Sequence, residues 1–126
     1  MEDSVDADEP IARFIRSHSH MRLELRRPKY SAYMPRLPEG DISVCRTEGI
    51  GATEVRAIGD QHVATPTNLI KGYCVQSADG FFKEGLDIEA APHPHPRHAN
   101  VRGWTTDPRN RIIAKKLADQ AELTVY

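Results

Sequence analysis

The hydrophobic and polar positions of this chain change period along its length, and each period predicts an element. The apolar residues of 11–16 follow helical spacing, with two arginines on the other side, and predict a short helix. From residue 18 the period becomes two. The apolar residues of 21–25 alternate with His, Arg and Glu, which is typical of a strand that is buried on one face only.

Three further strands are predicted in the middle of the chain. β-Branched residues favour a strand at 41–47, and apolar residues on both faces of 69–77 indicate a strand that is covered from both sides. The dipeptide Asp79-Gly80 is a turn signal, and residues 86–90 alternate between apolar and acidic side chains. A turn at this position favours antiparallel pairing of the strands that flank it.

Two further helices are predicted, one in the middle of the chain and one near its C-terminus. Thr53 can cap a short helix, which Gly59 can end. A stronger helix start follows at Asp107-Pro108, where a capping carboxylate precedes a proline in the first turn. Apolar residues then recur at helical spacing as far as residue 121, opposite a charged face. Residues 123–126 can add a last short strand.

These elements, in the order β, β, α, β, β, α, predict the α+β class. We expect a small, mostly antiparallel sheet of four to five strands packed against a C-terminal helix and a shorter middle helix. The acidic composition of residues 1–10 predicts a disordered tail, and residues 11–126 are predicted to form a single α+β domain.

Composition narrows the class of protein. A net charge of -1 argues against nonspecific binding of polyanions by the whole surface. No apolar run reaches the roughly 20 residues of a membrane-spanning helix, and the N-terminus lacks the pattern of a signal peptide. Cys45 and Cys74 are too few for a disulfide framework and are expected in the core. We therefore expect a cytoplasmic protein that does not associate with membranes.

The stretch 91–107, APHPHPRHANVRGWTTD, concentrates the candidate chemistry. His93 and His95 are candidate metal ligands, and the order H-x-H-P resembles the zinc motif of JAMM metallopeptidases. Thr105-Thr106-Asp107 breaks the Ser-x-x-Asp spacing of that motif. The prolines hold both histidines in extended backbone. The pattern therefore favours a rigid connector, and we predict no metal and no cofactor.

The second half of this stretch predicts a polar strip. If Ala99, Val101 and Gly103 face inward, the opposite face could hold a phosphate or carboxylate through arginine and stack a planar group on the indole. The members of this strip are His98, Asn100, Arg102 and Trp104. In the alternative interpretation, Trp104 packs against the start of the C-terminal helix.

Two other sets of cations are candidate binding residues. Arg46 ends a predicted strand just before a glycine-bearing turn and a helix, where backbone N–H groups could help it to bind an anion. A surface ion pair is the simpler explanation. The N-terminal region is basic and interleaved with Tyr30 and Tyr33, a composition typical of single-stranded nucleic-acid surfaces. Its cations include Arg22, Arg26 and Lys29.

Together these patterns predict a small binding or accessory module without catalysis. It would contact a protein partner or nucleic acid through the basic, Tyr-bearing region and the Arg/His/Trp strip. The alternative is a hydrolase-type enzyme, with or without a metal, that acts on a phosphorylated or nucleotide-like ligand. In that case His98, Arg46 and Arg102 are expected at the site.

Overall fold

The computed structural model of the protein describes residues 3–126, which form eight strands and three α-helices. The strands are β1 Pro10–Ile15, β2 Met21–Arg22, β3 Arg27–Pro28, β4 Ile42–Arg46, β5 Gly72–Ser77, β6 Asp87–Ala90, β7 His98–Arg102 and β8 Glu122–Val125. The helices are α1 Ala52–His62, α2 Asp79–Phe82 and α3 Asp107–Gln120. Short 3-10 turns lie at His18–His20, Leu23–Leu25 and Tyr30–Tyr33.

Six of the strands form one antiparallel sheet in the order β6-β7-β4-β1-β5-β8, and β2 and β3 form a separate small ribbon. The predicted α+β class, the antiparallel pairing and the C-terminal helix are confirmed. The predicted count of four to five strands is wrong, because the main sheet has six. None of the helices formed by residues 3–126 is both long enough and apolar enough to span a bilayer.

Two strands of this sheet, β1 and β7, were not among the predicted strands, and at β1 the sequence predicted a helix. β1 lies between β4 and β5 in the sheet, and packed layers cover both of its faces. Ile11 and Ala12 are therefore both fully buried, although they point to opposite faces. This double burial removes the alternation that marks a half-buried strand and leaves a spacing that resembles a helix.

The alternation at 21–25 predicted a strand, but only Met21 and Arg22 are extended. Met21 is buried, whereas Leu23 is 50% exposed and Leu25 is 58% exposed, so the pattern does not correspond to one buried face. Arg26 then adopts a left-handed backbone with φ 52, which turns the chain into β3. The predicted turn at Asp79-Gly80 is also different, because these residues begin α2.

The two faces of the sheet carry different layers. α3 packs on one face and buries Ile113 and Leu117 in the larger hydrophobic cluster. Its N-cap residue is Thr106, so Asp107 and Pro108 lie in the first turn. α1 covers the other face over a smaller cluster that includes Ala12, Cys45, Val55 and Tyr73. The face beyond α1, along β7 and β6, is left open.

α1 does not end at Gly59, as the sequence suggested, but continues to His62. A Cβ atom on Gly59 would lie 2.7 Å from the ring of Phe14 on β1. Gly59 therefore allows the helix to lie close to the sheet rather than ending the helix. This close approach brings the last turn of α1 beside β1 and β4, where the candidate site lies.

Candidate functional site

The site begins where β1 and β4 separate. These strands pair only at Ile11–Arg46 and Ala12–Cys45. Beyond this point the Arg13 side chain crosses the gap: Nη1 donates to the carbonyl oxygen of Ser43 at 2.8 Å, and Nε donates to that of Ala32 at 3.0 Å. A guanidinium thus satisfies a carbonyl that a neighbouring strand would otherwise bond. The gap remains open as a cleft in the middle of the sheet.

Two adjoining cavities occupy this region, with volumes of about 280 Å³ and 210 Å³. Both are lined by Arg13, Phe14 and Arg16. We call the larger one the histidine cleft. Its remaining lining residues are Ser43, Val44, His62, Val63, Pro94, His95 and His98. The smaller cavity extends past Arg16 towards His20, Ser31 and Asn68.

Three histidines from separate elements meet in the cleft. His62 lies in the last turn of α1, His95 in the Pro/His connector, and His98 at the start of β7. The ring centroids of His62 and His95 are 5.0 Å apart, and those of His95 and His98 are 5.8 Å apart. The sequence favoured a connector role for His95, but its ring is buried between the other two. His93 is exposed and does not line the cleft.

Hydrogen bonds fix the tautomers of two of these rings. His98 Nδ1 lies 2.8 Å from the carbonyl oxygen of Ala91, which can only accept, so Nδ1 carries the proton and Nε2 of the neutral ring is an acceptor. The backbone N–H of Arg97 donates to His95 Nδ1 at 3.2 Å. The proton of neutral His95 is therefore on Nε2, which is a donor.

The environment keeps His95 neutral. Burial lowers its pKa from 6.5 to about 4, and the neighbouring His62, His98 and Arg97 act in the same direction. His95 thus contributes a neutral N–H group rather than a charge at ordinary pH. Fixed positive charge in the cleft comes from the arginines.

Acidic side chains are missing from the cleft within the part of the chain that the structure describes. Among residues 3–126, none of those that line either cavity is Asp or Glu, although 18 of the 126 residues of the chain are acidic. Arg13 donates only to backbone carbonyls, and Arg16 is exposed and forms no ion pair within the described residues. Guanidinium and imidazole donors without a neutralising carboxylate favour an anionic ligand.

Arg46, a predicted anion-binding residue, is committed elsewhere. Its Nε and Nη2 donate to the Glu9 carboxylate at 2.6 and 3.0 Å, and Nη2 also donates to the Ser4 carbonyl at 3.1 Å. Both side chains are 4% exposed. The hydrogen bond from Arg46 lowers the pKa of Glu9 despite the opposing effect of burial. Arg46 therefore forms a buried ion pair. The sequence had suggested either an anion site or an ion pair on the surface.

The same contact bears on the predicted N-terminal tail. Glu9 is buried, and Val5 packs against the larger hydrophobic cluster. The part of 1–10 that includes these two residues is therefore held against the domain, in contrast to the disorder expected from its acidic composition. Residues 1 and 2 lie outside the described residues, and the division at residue 10 stays a prediction.

The predicted strip along β7 divides into different environments. His98 lies in the cleft and Asn100 is half-buried opposite Ser43 on the open face. Arg102 is exposed, and its Nη1 and Nε lie 2.7 Å from Glu89 and 3.5 Å from Asp41. Both carboxylates raise the pKa of Arg102. Of the three residues expected at an enzyme site, only His98 lines the cleft.

Trp104 does not belong to the strip. Gly103 has a φ of +102, which ends the alternation and directs the next side chain into the core. Trp104 is 3% exposed and its Nε1 donates to the Val101 carbonyl at 3.2 Å. The indole packs in the core just before α3, as in the alternative interpretation. It cannot stack on a ligand at the surface.

The basic N-terminal residues form a second candidate surface, together with residues of α3. Tyr30, Lys29, Arg22, Lys115 and Asp119 line a shallow cavity of about 380 Å³. We call this surface the Tyr30 patch. Its Arg22 forms an exposed ion pair with Asp119 at 3.3 Å, and the Lys115 ammonium lies 5.6 Å from the Tyr30 ring centroid. Neither Arg26, which is exposed, nor Tyr33, which is fully buried, lines this cavity.

Both cysteines are buried within strands, as predicted. Burial raises the pKa of the Cys45 thiol and that of the Cys74 thiol to about 11. A thiol with so high a pKa holds little thiolate near neutral pH and is a poor nucleophile. Among residues 3–126, no group of three or more His, Cys, Asp or Glu side chains has the geometry to hold a metal ion.

Comparison of the chain with protein-family models, curated proteins and solved structures found no match. The assignment of a function therefore depends on the geometry of the chain itself. The sequence did not single out Arg13, Arg16 or His62 as site residues, and His95 was considered as a metal ligand before the pattern favoured a connector role. Proline after His95 and the helical position of His62 gave no signal that the fold would bring these rings together with His98.

Proposed function

We propose that the protein is a binding module that holds phosphate groups of single-stranded nucleic acid in the histidine cleft. The observation that carries this proposal is the convergence of two arginines and three histidines on the histidine cleft, which has no carboxylate among the described residues that line it. Guanidinium groups bind phosphate through charge-assisted hydrogen bonds. The neutral His95 Nε2–H group adds a donor without the repulsion of a further charge.

The shape of the site favours an extended strand over a single anion. The two cavities adjoin at Arg13, Phe14 and Arg16, so successive phosphates can occupy them. The Phe14 ring lines both cavities and offers an apolar surface for a base, as single-strand binding proteins use aromatic side chains.

The Tyr30 patch has a supporting role in this proposal. Arg111 and Lys115 lie over the Tyr30 ring, with the guanidinium carbon and the ammonium nitrogen 5.8 and 5.6 Å from its centroid. The ring is therefore already in contact with cations. The patch adds positive charge that attracts a polyanion, whereas the cleft provides the defined contacts.

The test measures the binding of a fluorescent single-stranded oligonucleotide by anisotropy at several salt concentrations. Arg16→Ala removes an exposed cation from the cleft and is expected to weaken binding about tenfold, roughly the value of one charge-assisted contact. Arg102→Ala is the matched control, because that arginine is exposed but paired with carboxylates. Equal weakening by both variants, or no binding by the wild type at low salt, would contradict the proposal.

A further inference from the structure

The tautomers of the cleft place an acceptor and donors in a fixed order. His98 Nε2 is the acceptor of its ring, because Nδ1 donates to Ala91. His95 Nε2 is a donor, because Nδ1 accepts from Arg97. His62 lies beyond His95, in the last turn of α1, where cationic side chains interact favourably with the helix dipole. The order across the cleft is therefore acceptor, neutral donor and potential cation.

We propose that the histidine cleft cleaves single-stranded RNA, with His98 as the general base and His62 as the general acid. This inference rests on the proposed function, because the cleft must first hold the phosphate. Phosphodiester cleavage by an internal 2′-hydroxyl needs a base at the attacking oxygen and an acid at the leaving oxygen, on opposite sides of the phosphorus. His98 and His62 flank His95 and supply these two groups.

The step balances without a further reactant. His98 Nε2 accepts the proton of the 2′-hydroxyl while O2′ forms a bond to phosphorus. The bond between phosphorus and O5′ breaks, and O5′ takes a proton from the His62 imidazolium. The products are a 2′,3′-cyclic phosphate and a 5′-hydroxyl. Exchange of protons with water then returns His98 to its neutral form and His62 to its charged form.

The other residues of the cleft act on the charge of the phosphate. The His95 Nε2–H group can donate to a non-bridging oxygen, and its neutral state means that it does not compete with His62 as the acid. Arg13 and Arg16 provide the positive charge that stabilises the additional negative charge of the transition state. Arg13 is fixed by its bonds to two carbonyls, so its position does not depend on the ligand.

The experiment incubates the protein with a labelled single-stranded RNA in the presence of EDTA, and analyses the products by denaturing gel and mass spectrometry. A matched RNA carries one 2′-deoxynucleotide at a cleavage position. We expect fragments ending in a 2′,3′-cyclic phosphate, and no cleavage at the deoxy position. His98→Gln and His62→Gln are each expected to lower the rate at least 100-fold, the lower range for loss of an acid or base.

The control variant is His93→Gln, which changes an exposed histidine of the same connector and is expected to cleave at the wild-type rate. Because His62 is also exposed, its replacement should leave the fold intact, and circular dichroism checks this for all variants. Binding is measured separately on an all-deoxy oligonucleotide. Binding without cleavage overturns this inference and leaves the proposed function standing, whereas absence of both contradicts both. Cleavage that persists in His98→Gln and His62→Gln also overturns the inference.

Discussion

The arginines of this protein occupy two kinds of environment. Arg46 and Arg102 each face carboxylates, one pair buried and the other exposed. Arg13 and Arg16 face a cleft that no carboxylate of residues 3–126 lines, and within these residues Arg13 donates only to carbonyl oxygens. The first kind has its charge neutralised by the protein. The second keeps a charge that is available to a ligand, and this difference separates structural cations from candidate binding cations.

These two environments show that an arginine next to a glycine-bearing turn and a helix start in the sequence does not necessarily bind an anion. Arg46 precedes a glycine-bearing turn and a helix, which suggested a binding role, yet its partner is Glu9, 37 residues earlier in the chain. Arg13 and Arg16 lie on a segment that resembled a helix. The strand register, which the local pattern does not reveal, decides which arginine meets a carboxylate.

The largest expected loss of stability comes from removing the carboxylate that pairs with Arg46, which makes the surroundings of Arg46 more like those of the cleft arginines. Glu9→Gln removes the carboxylate and leaves a buried guanidinium without its counter-charge, which typically costs about 3–5 kcal/mol. We expect this loss in the free energy of unfolding measured with urea at pH 7. Glu89→Gln is the control: it alters an exposed pair, and no measurable change is expected. Similar losses in the two variants would contradict the comparison.

The same pair predicts a dependence of stability on pH. Because Arg46 lowers the pKa of Glu9 below its ordinary value of 4.5, the stabilisation is fully present above pH 4.5 and is lost as the pH falls through the pKa of the folded state. The stability of the wild type should therefore fall more steeply below pH 4.5 than that of Glu9→Gln. Parallel curves for the two proteins would show that the carboxylate is not stabilised by Arg46.

How far the sequence predicts this structure depends on how each element is buried. α3 carries one apolar face and a clear start at residues 106–108, β4 is rich in β-branched residues, and β6 alternates between buried and exposed positions, so the existence of these elements could be predicted. β1 could not, because layers on both sides bury Ile11 and Ala12 alike. At β1, burial on both faces leaves apolar residues at a spacing that resembles a helix, whereas the longer apolar run of 69–77 still indicated the strand β5.

The candidate site was predictable only in part. His98 stood out because it lies beyond the prolines beside other polar residues, and the structure places it in the cleft. The rings that accompany it come from α1 and from the connector, Arg13 comes from β1, and Arg16 directly follows β1. Three segments distant in sequence meet there because β1 and β4 stop pairing after Ala12–Cys45. No short-range pattern encodes that separation.

In the cleft, the lowered pKa of His95 predicts a second dependence of stability on pH. Its pKa is about 4 in the fold and 6.5 in an unfolded chain, so the unfolded state takes up the proton first as the pH falls. Stability is then fully present above pH 6.5 and declines towards pH 4, by on the order of 3 kcal/mol. His95→Asn, which keeps an acceptor for the Arg97 N–H group, should remove this part of the decline in urea titrations.

The matched control for His95→Asn is His93→Asn, in the same connector but exposed. It is expected to leave the decline between pH 6.5 and pH 4 unchanged. If His95→Asn and the wild type lose stability equally over this range, the ring is charged in the folded protein. The neutral donor assigned to the cleft would then be wrong.

A smaller loss of stability is expected from a change at the contact between Gly59 and Phe14, which holds α1 close to the sheet. Gly59→Ala places a Cβ atom 2.7 Å from the Phe14 ring. Overpacking of this kind costs about 1–3 kcal/mol, against roughly 1 kcal/mol gained in helix propensity, so a modest net loss of stability is expected. In a Phe14→Leu background the same substitution should cost less. A double-mutant cycle measures this coupling, and additive effects would contradict the contact.

The smallest expected effect comes from adding a carboxylate to the cleft, so that its arginines face a negative charge as Arg46 and Arg102 do. Ser43→Asp introduces a carboxylate beside Arg13, on an exposed position of β4, and gives the cleft what Arg46 and Arg102 already have. Oligonucleotide binding should weaken about tenfold, or about 1.4 kcal/mol. Ser43→Asn has nearly the same shape without the charge and should bind as the wild type does. If the two variants bind equally well, the absence of carboxylates is not what makes this cleft a binding site, because the added charge alone distinguishes them.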